Sequence, residues 1–412
     1  MRITCLSVSD QLGGSEVALL RIVTALERLH PDWQFQIVLP GNGPLRDSLK
    51  GMRAICSVVP MPSALSRLGE WPAVQDGWRT GSRVALGIRL CGAAAVLPAY
   101  ESRLRRVIAD FQPHAIHTNG LKAHVLGARL RTRDAGLVWH LHEYISRRKL
   151  TRWLLRQYAG RCSAIVANSA SVASDVASSI RPTPDLHVVA NPVDLDVFAP
   201  TGVRLDVDRL AGLPAASSDV TRVGLIATYA RWKGHEVFLD AMKQLASRRS
   251  IRGYIIGGPI YDTVNSQFTR TDLQTMIDAR ELDGCVGLTG FVEPAPAMRA
   301  LDIIVHASTE PEPFGLVIAE AMACGRAVVT TGSGGAAELI ADGHDAIVAP
   351  AGEAGALADA IGTLVNNPAL RCAIGERARE TARARFAPAT VASQLGEVFE
   401  AISFSSAIAQ PA

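Results

Sequence analysis

Several things are scarce in this 412-residue chain, and each scarcity excludes something. Aromatic residues make up only 5 %, and the seven cysteines (Cys5, Cys56, Cys91, Cys162, Cys285, Cys324 and Cys372) are scattered, with no C-x-x-C pair. An odd and dispersed set is not a disulfide framework, so the thiols are expected to be reduced and mostly buried, as in a cytoplasmic protein. Long apolar runs are also missing. The most apolar stretch, 84–100, is broken by Arg89, short of the roughly 20 residues that span a bilayer. It reads as a helix of the fold. The N-terminus reaches polar residues within seven positions, too soon for a signal-peptide core, and reads as a first buried strand. A net charge of +3 is too small to argue for a nucleic-acid partner. No G-x-G-x-x-G is present, which counts against a nicotinamide-dependent oxidoreductase.

What is present describes a folded chain. Hydrophobic residues are 48 % and charged residues 20 %, near the averages for globular proteins. The length suits two or three domains with sizeable cores. Charge is uneven. Residues 1–198 hold 24 Lys and Arg against 15 Asp and Glu, a net of +9, whereas 199–412 hold 18 against 24, a net of −6. The halves should therefore meet different partners. The stretch 145–161 carries Arg147, Arg148, Lys149, Arg152, Arg156 and Arg161 with no acid, and Trp153, Leu154 and Leu155 lie among them. It is either a solvated helix with its apolar side in the core or a peripheral contact with an anionic membrane.

Short apolar runs alternate with helix-like stretches along both halves. In the second half the runs are 223–227, 254–258, 302–307, 327–331 and 346–350; the first half repeats the plan less regularly. Continuous apolar strands between helices predict parallel sheets covered on both faces. The fold class is thus α/β, with two doubly wound Rossmann-like domains facing across a cleft. Domains are expected at 1–198 and 199–385. The segment 386–412 should pack back on the first domain, and the final residues should fray. Ligands of such sheets bind outside the carboxyl ends of the strands.

The chemistry concentrates in STEPEPFGLVIAEAMACG (308–325). Apolar spacing at Leu316, Ile318, Ala319 and Met322 predicts a helix over 315–324, closed by Gly325. Pro311 and Pro313 bar an earlier start. The amides of Phe314, Gly315 and Leu316 are then unpaired donors at a helix start, suited to phosphate. Glu312 lies just outside and can accept from sugar hydroxyls, and Glu320 on the helix can accept from ribose. ARWKGHE (230–236) places Arg231 and Lys233 where a second helix opens. Lys233 is one of five lysines against 37 arginines. A fixed cation there stabilises a departing diphosphate more than the ground state. Gly13 and Gly14 follow the first strand and permit close backbone approach. Alternation puts His140 and His142 on one strand face. They read as satisfied core histidines or as a metal pair, although His114, His117 and His124 supply no H-E-x-x-H spacing. Asp194-Leu195-Asp196 mimics a D-x-D metal motif but reads as structural, in a polar connector.

The stretch EPEPFGLVIAEAMACGRAVVTTGSGGAAELIADG resembles the donor-site motif of family 4 glycosyltransferases, which have the GT-B fold. The resemblance continues in YARWKGHEVFLDAM, GGPIYDTVNSQF, TGFVEP, NPVDLDVF and GGSE, and so spans nearly the whole chain. It implies transfer of a sugar from a nucleotide-sugar with retention of configuration and no metal or other cofactor. It implies Lys233 on the diphosphate, Glu312 on the donor sugar and Glu320 on the donor ribose, with Pro313, Phe314, Gly315 and Leu316 nearby. Where the family carries an Arg this chain has Thr228, so Arg231 is the nearest substitute. His142 would reach the donor sugar or its phosphate. Gly13 and Gly14 would lie near the phosphates, and Gly334 and Gly335 would line the donor side. Gly258 and the backbone of Phe291 and Val292 would meet the base. Asn119 and Lys122 fall on the acceptor side.

The expectation is a retaining hexosyltransferase acting on a glycan, lipid-linked or small-molecule acceptor. It would be cytoplasmic, with peripheral contact at the inner membrane face through 145–161. A GT-B epimerase or phosphorylase and a non-catalytic nucleotide-sugar-binding module are the alternatives. Turnover with and without acceptor separates them.

Overall fold

A computed structural model of the protein describes residues 1–66, 80–130, 135–246, 250–259 and 266–408, with backbone alone over 80–89 and 404–408. Part of the motif 257–268, namely 260–265, and the last four residues of the tail lie outside the described residues. The chain forms two units: Met1–Pro192 together with Pro388–Ala412, and Val193–Ala387.

Seven strands build the first unit: β1 (Arg2–Ser7), β2 (Gln34–Leu39), β3 (Ile55–Val58), β4 (Ala115–Asn119), β5 (Gly136–Leu141), β6 (Ala164–Ala167) and β7 (Asp185–Val188). All pair in parallel, in the order β3-β2-β1-β4-β5-β6-β7. β4 and β5 are buried along their whole length, which is what a sheet covered on both faces requires. The helix Gly14–Leu29 buries Ala18, Leu19, Ile22, Val23 and Leu26, the spacing of one helical face. That face packs with Val391, Leu395 and Phe399 of the C-terminal helix Pro388–Ile408, which thereby closes the first unit. The apolar stretch 84–100 lies within one long helix, Thr80–Phe111. No helix among the described residues is long and apolar enough to cross a membrane. The thiols depart from expectation. Cys5, Cys162 and Cys324 are buried, but Cys56, Cys91 and Cys372 are exposed. Cys56 sits on the edge strand β3, half of which faces outward.

The second unit repeats the plan with β8 (Thr221–Ile226), β9 (Ile251–Ile256), β10 (Val286–Gly290), β11 (Ile303–His306), β12 (Ala327–Thr330) and β13 (Ile347–Val348). Their order is β10-β9-β8-β11-β12-β13, again all parallel. The strand order reverses between β8 and β11, and between β1 and β4 in the first unit. In such sheets the carboxyl ends of the two strands at this switch form the ligand crevice.

One buried polar network ties this unit together. Asp208 accepts from Arg222 at 2.8 Å, Arg252 at 3.0 Å, the Tyr254 hydroxyl at 2.5 Å and the Ala216 amide at 3.1 Å. Burial would raise its carboxyl pKa, but these donors outweigh it and hold the group well below the usual carboxylate range. Asp208→Ala is expected to cost about 3–5 kcal/mol, the scale for removing one partner of a buried charge network. Urea unfolding checks this, and a loss under about 1 kcal/mol would mean the network is dispensable. A depressed carboxylate stabilises at neutral pH and ceases to do so only as pH falls through its low folded value.

Candidate functional site

The carboxyl ends of β8 and β11 carry the cluster. After β8 the chain makes a short 3-10 turn, Arg231–Lys233, then Gly234, then the helix His235–Leu245. After β11 it runs through Ser308 and Glu312 to Gly315, where the helix Leu316–Ala323 begins. Glu312 Oε1 lies 2.5 Å from Lys233 Nζ and 3.1 Å from His306 Nε2, and it accepts a hydrogen bond from the Ser308 hydroxyl. Only 12 % of the Glu312 side chain is exposed. Burial alone would raise its pKa. The charges of His306 and Lys233 and their hydrogen bonds win, so the carboxyl is held well below its ordinary range. His306 is itself fixed by Thr330 Oγ1 at 3.1 Å. Glu312 also forms a bridge to Gly334, and the Gly335 amide donates to its carbonyl at 2.7 Å, so the Gly334–Gly335 loop is tied to the carboxylate's own backbone.

Both helix starts need glycine. Gly234 has φ 75° and Gly315 has φ 94°, and no side chain caps either helix, so donors at those starts are left for a ligand. At Gly234 the constraint is also steric, because a Cβ there would sit 1.9 Å from the Ala307 carbonyl oxygen. Gly284 has a similar φ of 74° but open space around it. Gly234→Ala is therefore expected to cost well over the roughly 1–2 kcal/mol of left-handed strain expected for Gly284→Ala, read as the larger drop in melting temperature. Equal losses would show that the close approach to Ala307 is unimportant.

The other residues expected around a donor fall as follows. Glu320 lies on the helix and is 6 % exposed. Phe314 is buried, its ring packed edge-on against Phe386 at 5.9 Å, while Pro313 and Leu316 are half-buried. Gly258 is buried beneath the Phe291 ring, which is 61 % exposed, and Val292 follows it, half-buried. Arg231 is exposed, with its guanidinium 4.3 Å over the Phe268 ring. The Thr228 hydroxyl is buried without a hydrogen-bond partner. His306 and Ser308 went unnoticed in the sequence, because nothing in their spacing announces that both fold onto Glu312. Asp194 accepts the amides of Asp196 and Val197, each at 3.1 Å, an ordinary local turn.

In the first unit, Gly13 precedes the helix Gly14–Leu29, and a Cβ on Gly13 would lie 2.8 Å from the Glu16 carboxylate, which folds back over the helix start. Asn119 is 1 % exposed and donates to the Ser15 carbonyl at 3.2 Å, fixing that turn. Lys122 Nζ donates to the Ser66 carbonyl. His140 and His142 share a face, with ring centroids 4.2 Å apart. His117, His124 and His140 are core residues, at most 1 % exposed. The ring nitrogens of His142 are buried, and burial, outweighing a hydrogen bond with Asn191 that acts the other way, lowers its pKa to about 4. Among the described residues no group of three or more His, Cys, Asp or Glu could hold a metal ion. His124, His142 and Glu143 line a pocket with Ser15, Gly120 and Leu121.

Two family models match the chain in succession. Residues 12–197 match the one described as Glycosyltransferase Family 4, and residues 219–367 match the one described as Glycosyl transferases group 1. The chain belongs to glycosyltransferase family 4. This family 4 member is a glycosyltransferase of the GT-B type that uses nucleotide-sugar donors. It is 28 % identical over 331 residues to the lipopolysaccharide core biosynthesis mannosyltransferase LpcC of Rhizobium leguminosarum bv. viciae, covering 78 % of this chain and 90 % of that one. A D-inositol 3-phosphate glycosyltransferase of Corynebacterium aurimucosum is 30 % identical over 255 residues, covering 59 % of this chain and 58 % of the relative. Among solved structures, Anabaena HepE in complex with UDP-glucose superposes with a TM-score of 0.76 at 23 % identity, over 97 % of this chain and all of that one. At that identity the likeness concerns the fold.

Proposed function

We propose that this family 4 glycosyltransferase moves a hexosyl group from its nucleotide-sugar to a hydroxyl of a glycan, lipid-linked or small-molecule acceptor, with retention of anomeric configuration. One observation carries the reading: the Lys233–Glu312 pair stands at the strand-order switch of the second sheet, flanked by two glycine-started helices. Lys233 supplies a fixed cation to the leaving diphosphate, an interaction that strengthens as charge develops. Glu312, ionised and pinned by three donors, accepts from the transferred sugar's hydroxyls, and its pairing holds Lys233 in place beforehand. Glu320 takes the ribose. The backbone from Pro313 to Leu316, with Gly334 and Gly335, meets the phosphates and sugar. Gly258 and Val292 meet the base beside Phe291. Arg231 adds a second, more distant cation. Within the first unit, His142 and the Gly13–Gly14 turn are assigned to sugar recognition, and Asn119 and Lys122 to the acceptor. No metal or cofactor is needed, because Lys233 and the helix amides take the charge-neutralising role. The name of the relative LpcC, a mannosyltransferase, supports a mannosyl donor.

The helix Lys149–Tyr158 keeps a membrane-surface role open to test. Leu155 is buried, but Leu150 and Trp153 are 51 % and 56 % exposed among the arginines. The function itself is tested by incubating the protein with UDP-, GDP- and ADP-hexoses and a hydroxyl acceptor, and following the anomeric proton by NMR. The expected product keeps the donor's configuration and forms equally well in EDTA. An inverted product, or activity lost to EDTA, would overturn the retaining, metal-free reading.

A further inference from the structure

Three donors hold Glu312 on one oxygen, and two of them differ in kind from the third. Lys233 reaches Oε1 from the turn after β8, with a side chain 22 % exposed. His306 ends β11 and Ser308 lies just beyond it, and they are 6 % and 1 % exposed. The neighbours of the imidazole show where its hydrogen sits. The Gly332 amide donates to Thr330 Oγ1 at 3.2 Å, so that oxygen is already an acceptor. Thr330 is 0 % exposed, and among the described residues the one acceptor beside its hydroxyl hydrogen is His306 Nδ1, at 3.1 Å. The Ser308 hydroxyl gives its hydrogen to Glu312, so it presents a lone pair toward His306 Nε2, 3.3 Å away. Both contacts require the same neutral tautomer. Nδ1 accepts, and Nε2 carries the hydrogen, 3.1 Å from Glu312 Oε1. The other tautomer strands the Thr330 hydrogen in a dry site and sets the Nε2 lone pair against a carboxylate.

We infer that His306 is a positioning residue for Glu312: locked by Thr330 as a fixed Nε2–H donor, it keeps the carboxylate aimed when Lys233 turns to the diphosphate. The inference rests on the proposed function, in which Lys233 serves the leaving group and Glu312 the transferred sugar. A diphosphate competes with Glu312 for the ammonium, which is a point charge on a flexible stem. The imidazole has no such freedom. It sits on a strand at the switch of the sheet, and its second nitrogen is engaged by Thr330, its register partner on β12. Groups carried on strands hold their geometry better than groups on loops. Ser308 adds a second neutral donor from the same segment. Glu312 thus keeps both of these donors while Lys233 changes partner. His306 itself touches neither sugar nor phosphate in this scheme. Removing it should therefore slow the step that uses the sugar and spare diphosphate binding.

Two variants of the full-length protein and one spectrum test it. His306→Leu removes the donor at similar volume, and His306→Gln restores an N–H. Turnover is followed with UDP-, GDP- and ADP-hexoses and a hydroxyl acceptor, and UDP, GDP and ADP are titrated by calorimetry. His306→Leu should lose roughly 30-fold or more in kcat, the scale of a misaimed group. The diphosphate that the parent binds should keep its affinity within about threefold. His306→Gln should recover kcat to within about fivefold of the parent. In the parent at about pH 8, above the ordinary range for imidazole, long-range nitrogen–proton NMR should place the His306 hydrogen on Nε2, the signal being assigned by its loss in His306→Gln. An unchanged kcat in His306→Leu, a diphosphate affinity that falls as far as kcat, no recovery in His306→Gln, or a hydrogen on Nδ1 would each overturn the inference. Should His306→Leu fail to fold, His306→Gln and the spectrum decide. Parent protein that turns over none of the three donors would count against the glycosyltransferase reading instead, and the spectrum alone then decides the tautomer.

Discussion

The first unit is expected to lose at least about 4 kcal/mol of stability between pH 7 and pH 5, and to lose its structure there before the second unit does. The cause is four histidines buried uncharged around β4 and β5. Burial holds His117 at about 3 and His142 at about 4, and holds His124 and His140 well below the ordinary value, with the neighbouring histidines adding to the effect. In the unfolded chain each titrates near 6.5. Between 6.5 and the folded values the unfolded state therefore binds more protons, so stability falls as pH falls. His117 and His142 contribute about 2 kcal/mol each by pH 5, since one pH unit is worth about 1.4 kcal/mol per proton. His124 and His140 act in the same direction. The second unit has His235, which burial lowers to about 4, as its counterpart. Hydrogen exchange followed by mass spectrometry separates the units. Peptides from β4 and β5 should lose protection at pH 5 while those from β8 and β11 keep it. Equal protection in both units would show that the histidines are accommodated when charged.

Lys233→Ala is expected to reduce turnover by roughly 10²–10³-fold, the scale for removing one preorganised group that stabilises developing charge. It should also lower stability, because Glu312 is left buried with His306 and Ser308 but without its ammonium partner. The two effects can be separated. In Lys233→Ala/Glu312→Gln the carboxylate no longer needs a cation, so melting should recover toward the parent. Turnover should not recover, because the leaving diphosphate still lacks its cation. Coupled recovery of both would mean that Lys233 acts only by holding the fold. Unchanged turnover in the single variant would remove it from the chemistry.

Much of this was legible in the sequence wherever one physical signal dominated. β8, β11 and β12 are continuous apolar runs between helices, and they are strands of a buried parallel sheet. Lys233 and Glu312 stood out because glycine and proline punctuate the chain beside them, and the structure gives both Gly234 and Gly315 a positive φ. Edge strands were harder to read. β3 is exposed at Ile55 and Cys56, and β7 is polar and half-exposed, so neither shows the pattern of a buried run. β10 carries Gly287 and Gly290, which read as breakers. Gly287 is in fact required, because a Cβ there would lie 2.7 Å from Ala211. In the first unit, Glu16 and Glu143 come close enough for their charges to interact. A lone acid beside His142 or Gly13 gives no periodic signal, and only the folding of β5 and of the helix at Gly14 brings the two near each other. Cysteine burial was misjudged for a related reason. Composition says nothing of whether a given thiol falls on an edge strand or on an outer helix face.

The account depends on the cluster at β8 and β11 receiving a nucleoside diphosphate. Calorimetric titration of UDP, GDP and ADP into the parent protein and Lys233→Ala tests this directly. One nucleotide should bind the parent in a single site, and Lys233→Ala should weaken it at least tenfold, about 1.4 kcal/mol. Parent protein that binds none of the three, or a Lys233→Ala variant that binds as tightly as the parent, would contradict it.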